Sequence, residues 1–122
     1  MSDVIEFWVD GKPNENKNHG TWYLAVACKA QEMAALNKGF LDPRASYWME
    51  ITFRFIRPKS VKDGEHIVKP DLTRLEISTL KAMEHILFPD VKQIVRICKN
   101  KTYLGPEGAL IKVVKDDRWR VV

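Results

Sequence analysis

The chain has 122 residues, enough for one domain with a real core and short for two. Its 45% hydrophobic and 30% charged residues are the composition of an ordinary globular protein, which excludes a disordered tail and a membrane span. Twenty basic against sixteen acidic residues give a net charge of +4, a tilt toward a polyanionic partner.

The opening MSDVIEFWVDG carries acids and no long apolar run, and no later segment approaches a spanning length, so a cytoplasmic protein without a membrane partner is expected. Residues 4 to 10 alternate, with Ile5, Phe7 and Val9 on one face and Glu6 and Asp10 on the other, the pattern of a half-buried strand. The stretch DGKPNENKNHGT that follows is rich in Gly, Pro, Asn and Lys and reads as a polar surface loop that does not pack. From Thr21 the spacing of Tyr23, Val26, Ala27, Ala30, Met33 and Ala34 predicts a helix, with Gly39 as its stop. Residues 47 to 55 give the cleanest alternation, with Tyr47, Met49, Ile51, Phe53 and Phe55 on one side, and predict a long central strand. RPKSVKDGEHIVKP, at 57 to 70, breaks the pattern with two prolines and a DG turn signal and reads as a loop.

A second helix is expected over about 71 to 87, from the stripe Leu72, Leu75, Thr79, Ala82, Met83 and Ile86, with Pro89 ending it. Thr73 and Glu76 have capping-box spacing, and Leu72 with Ile77 would form the hydrophobic staple. Residues 93 to 103 and 109 to 114 read as two strands around YLGPEG that should pair as a hairpin, and DDRWRVV is left as a tail. Cys28 and Cys98 lie in apolar stretches without metal-ligand spacing, which predicts buried, reduced thiols. His19, His66 and His85 are scattered without partners, and Trp8, Trp22, Trp48 and Trp119 fall where packing explains them better than base stacking. The element order predicts a single α+β domain over residues 1–122, a two-layer fold with two main helices on one side of a mixed sheet.

The runs KPDLTRL at 69–75, LFPDVKQIV at 87–95 and YLGPEGALIKV at 103–113 together resemble the RusA family of Holliday junction resolvases. The order and spacing match across 69 to 113, and the opening strand with its GKP loop matches more loosely. The resemblance implies a RusA-like fold and a homodimeric endonuclease of phage or prophage type, acting in DNA recombination and repair. Such an enzyme grips branched double-stranded DNA and cuts with Mg²⁺ held by aspartates. The chemistry is coherent, because hard carboxylate oxygens suit Mg²⁺ and a two-fold dimer matches a two-fold junction.

Residue by residue, the match departs from the family's pattern at the chemistry. Asp71 takes the place of the first aspartate, but the second falls on Thr73, the lysine on Ile77 and the later metal-binding aspartate on Val91, leaving Asp90 beside it. Too few carboxylates remain to hold a cation that dehydrates reluctantly. The reading is therefore a junction-binding protein impaired in cleavage. Two alternatives stand beside it. One is an active nuclease with a rearranged Mg²⁺ or Mn²⁺ site made of Asp71, Asp90 and Glu76, with Asp71 and Asp90 catalytic; the other is a recruited fold whose target is a protein. Asp71 has a plainer reading as a carboxylate at the positive end of a helix. Lys12, Lys17, Lys59, Lys62, Lys69, Arg74, Lys92, Arg96, Lys99 and Lys101, with Arg57, are the candidate phosphate contacts.

Overall fold

Alternation along the strands places the core. In the computed structural model, which describes residues 3–15, 20–57, 59, 70–103 and 105–116, the order is β1 (Val4–Asp10), α1 (Thr21–Leu36), β2 (Ser46–Arg54), α2 (Leu72–Met83), a short 3-10 turn (Val91–Gln93), β3 (Ile94–Thr102) and β4 (Gly108–Asp116). The sheet order is β1-β4-β2-β3, with β4 antiparallel to both neighbours and β3 parallel to β2. Ile5, Phe7 and Val9 of β1, Tyr47, Met49, Ile51 and Phe53 of β2, and Ala109, Ile111 and Val113 of β4 are all buried against the helices. Each large side chain removed from water in this layer contributes about 1.5 to 3 kcal/mol, which outweighs any single surface ion pair. The fold is the expected two-layer α+β arrangement of a mixed sheet and two main helices, and among the described residues no helix is long and apolar enough to cross a membrane.

The expected hairpin does not form. β3 and β4 are separated by β2, because β4 is apolar on both sides, with Leu110 and Val114 half-buried opposite Ile111 and Val113. A strand apolar on both sides gains most in the interior, while β3, carrying Arg96, Lys99 and Lys101, is stable at an edge. β2, α2 and β3 thus make a strand, helix and parallel strand unit, the usual way to join parallel strands.

The helices also differ from expectation in detail. α1 buries Trp22, Val26 and Ala30, so Trp22 belongs to the core stripe, and its indole N–H donates to Thr79 Oγ1 of α2 at 3.1 Å. α2 stops at Met83, short of Pro89, because His85 takes a left-handed φ of 69° and turns the chain. That turn sets Leu87 and Phe88 into the core, which a helix continuing to residue 87 would not do. Cys28 and Cys98 are exposed, not buried: Cys28 is on the outer side of α1, and Cys98 is on the sheet face away from the helices, level with Glu50. Apolar neighbours in sequence do not bury a residue whose own side chain points outward. Trp8 and Trp48 lie on that same face, half-buried under cations, with Arg54 5.6 Å above Trp8 and Arg96 and Lys112 each 5.7 Å from Trp48. Trp119 and the tail from 117 lie outside the described residues.

Tyr47 ties the start of β2 to the loop after α1. Its hydroxyl donates to Phe40 O at 2.5 Å and accepts from Asp42 N–H at 2.8 Å. Burial raises its pKa from 10.0 to about 12. Between those values the unfolded chain has lost a proton that the folded chain keeps, so stability falls as pH rises through that window. Urea denaturation at pH about 9 and about 11 should show this loss in the parent chain, and Tyr47→Phe should flatten it. Gly108 supplies the other test: a Cβ there would lie 2.4 Å from both Trp8 Cζ2 and Val9 O, and its φ is +156°. Gly108→Ala should lower stability by about 1 to 3 kcal/mol, read as a drop in the denaturation midpoint.

Candidate functional site

The first turn of α2 is where the resemblance places the chemistry. Asp71, in extended conformation just after Pro70, is the N-cap: its Oδ1 accepts the Thr73 N–H at 2.8 Å and its carbonyl accepts the Leu75 N–H at 2.9 Å. The capping box assigned to Thr73 and Glu76 is corrected accordingly, since the cap lies two residues earlier and Glu76 is past the reach of the free amides. Glu76 instead pairs with Lys99 of β3 at 2.6 Å, both side chains being largely buried. Lys101 Nζ, one pleat further along β3, donates to Pro70 O at 2.8 Å. Two lysines of β3 therefore tie the first two turns of α2 to the sheet.

Asp90 is at the other end. Its Oδ1 accepts the Lys92 N–H at 2.9 Å, capping the 3-10 turn, and the next residue, Val91, donates its N–H to Glu84 Oε2 at 2.9 Å. Glu84 is the C-cap of α2. Twelve helical residues lie between Asp71 and Glu84, so a rise of about 1.5 Å per residue puts the two ends of α2 roughly 18 Å apart. Within one chain Asp71 and Asp90 thus lie toward opposite ends of α2, and Glu76 turns to Lys99. Asp71 and Asp90 are occupied by backbone amides and Glu76 by a lysine. Among the described residues no three of His, Cys, Asp and Glu gather where a metal ion could be held. Mg²⁺ asks for near-octahedral oxygen ligands, and the donor set here does not fit it.

Glu15 is the acid that the sequence did not single out. Its Oε2 accepts the Asp71 N–H at 3.0 Å and its Oε1 lies 3.9 Å from Arg74 Nη1. The described first part of this loop, 11–15, does pack: Pro13 is buried and Glu15 reaches the mouth of α2. No local signal could have placed Glu15 there, because the loop's composition does not fix where it lands. The pair with Arg74 is long and Arg74 is 70% exposed, so it adds little to stability.

The predicted phosphate contacts fall into three groups. Lys12, Lys59, Arg74, Lys92 and Arg96 are exposed, Lys99 and Lys101 are half-buried and engaged as above, and Lys17, Lys62 and Lys69 lie outside the described residues. Strand pairing shows that Asp10 and Arg54 both lie level with Gly108, and Phe55 bonds to Thr102 at 2.8 Å, so β1, β2 and β3 finish at one end of the sheet. Lys12, beyond β1, and Arg57 and Lys101, by β2 and β3, fall at that end on different strands, and Arg57 stacks on Tyr103 with 5.0 Å to the ring centre. Lys92 stands in the 3-10 turn that leads into the other end of β3. Between them Arg96 projects on the open face and Lys99 on the helix face, as their register with Trp48 and Ile51 requires. Lys92 and Arg96 are thus exposed at the start of the edge strand, while Lys99 and Lys101 are engaged beneath α2. His85 is exposed and within 3.9 Å of Glu84, while His19 and His66 lie outside the described residues. No protein-family model matches the chain, and no curated protein does.

The cap gives a direct test of what Asp71 does. Asp71→Ala should destabilise the fold by about 0.5 to 2 kcal/mol, whereas Asp71→Asn, which keeps an oxygen for the Thr73 N–H, should be nearly neutral in thermal denaturation. If the two variants are equally destabilised, the side chain is not acting as a cap.

Proposed function

We propose that the chain is a RusA-like binding protein for branched double-stranded DNA, cytoplasmic, homodimeric and of phage or prophage type, in which cleavage is impaired. The observation that carries this reading is the split fate of the charged residues. Asp71, on the family's first aspartate position, and Asp90, beside the position of its later one, serve as caps near opposite ends of α2, while Lys92 and Arg96 stand exposed at the start of the edge strand β3. Exposed, flexible cations of this kind suit phosphates better than bases. The motifs over 69 to 113 support the branched-DNA part, since they resemble a family whose partner is a four-way junction. The same residues support the loss of cutting, with Thr73, Ile77 and Val91 standing where charged groups would be needed.

A labelled four-way junction incubated with the protein in Mg²⁺, Mn²⁺ or EDTA, followed by gel shift and strand analysis, tests both halves. The expected outcome is a shift in all three conditions without cutting. Affinity should fall steeply with salt, and Arg96→Ala should reduce the slope of log K against log salt by about one. Metal-dependent cutting that Asp71→Asn abolishes would defeat the impaired-site reading. No shift on any DNA would remove nucleic acid altogether and leave a protein target.

A further inference from the structure

We infer that β3 is a docking edge for an extended acidic peptide segment, which joins the sheet as an added strand. This does not depend on the DNA reading. The sheet order leaves β3 paired on one side only. Thr102 directs its carbonyl to the Phe55 N–H on the β2 side, and backbone direction alternates along a strand, so Ile97 and Lys99 direct their N–H and C=O groups outward. Among the described residues none answers those groups, and Val95, Cys98 and Asn100 around them are exposed, Val95 by 67%.

Exposed edges are ordinarily blunted by prolines, bulges or free lysines. β3 contains no proline, and its one irregularity lies at its start, opposite Tyr47 and Trp48. Its cations are drawn aside, with Lys99 held by Glu76 at 2.6 Å and Arg96 laid over Trp48. The edge is thus open to main-chain pairing, and the strand IVRICKNKT itself has no acid. Its sign selects the partner: acidic side chains beside the exposed Arg96 are favoured, and basic ones are repelled. The opposite edge, β1, carries Glu6 and Asp10, so an acidic strand is directed to β3 and away from β1.

The test uses the full chain and two labelled peptides of about nine residues, one alternating valine with glutamate and one alternating valine with lysine. Binding is followed by fluorescence anisotropy, and amide exchange by NMR. The glutamate peptide should bind at least about tenfold tighter than the lysine peptide and slow exchange of the Ile97 and Lys99 amides by about tenfold or more. Arg96→Glu should narrow the preference, and Arg96→Gln should narrow it less. Equal binding of the two peptides, or binding that leaves those two amides unprotected, would overturn the proposal. So would protection that grows with protein concentration without peptide, which would make a second copy the occupant, or equal protection by a short DNA duplex.

Discussion

The burial of one face of β2 governs the rest of the molecule. Tyr47, Met49, Ile51 and Phe53 have no exposed surface, which requires a helix layer above them and a bonded strand on each side. α1 and α2 supply the layer, packing on each other as well as on the sheet. The two flanking strands are chosen by polarity: β4, apolar on both sides, fills the gap between β1 and β2, and β3, polar and basic, takes the edge. Once β2 is interior and parallel to β3, α2 must run back along β3. That direction sends Asp71 and Asp90 to opposite ends of the same helix.

Much of this was legible in the residues. Period-two alternation placed β1 and β2 nearly to the residue, and period-3.6 spacing placed both helices, because these patterns record which face is covered. Pairing was not legible in the same way. YLGPEG is a sound turn between two apolar runs, but a turn brings chain segments near each other without making them neighbours in a sheet, and the apolar residues on both sides of β4 were the neglected signal. The helix boundaries failed where a tertiary demand overrode local rules. Ile86 fits a continuing helical stripe in sequence, yet the core takes Leu87 and Phe88 only after the turn at His85. Spacing alone also favoured Thr73 over Asp71 as cap, although either side chain can serve.

The candidate site was legible as a location and not as a geometry. KPDLTRL marks a helix entrance, and the structure puts a helix entrance there. What the residues could not disclose is that Glu15 arrives from a distant loop, or that Lys99 and Lys101 would be turned under α2 instead of standing free. These contacts join parts of the chain far apart in sequence, so they depend on topology more than on local pattern. They also change how the basic composition reads. Some of the positive charge holds the fold together, and only the remainder is available to a partner.

The buried bond from Trp22 to Thr79 has a consequence for how the two helices meet. The surface α1 offers is rich in small side chains, among them Ala27, Ala30 and Ala34, and such a smooth surface tolerates sliding by a turn. Shape alone would leave several seatings close in energy. A seating displaced by one turn would strand an indole N–H in the apolar interior at about 1 to 3 kcal/mol. This one polar contact therefore acts less as glue than as an index mark, excluding the near misses that hydrophobic contact would accept.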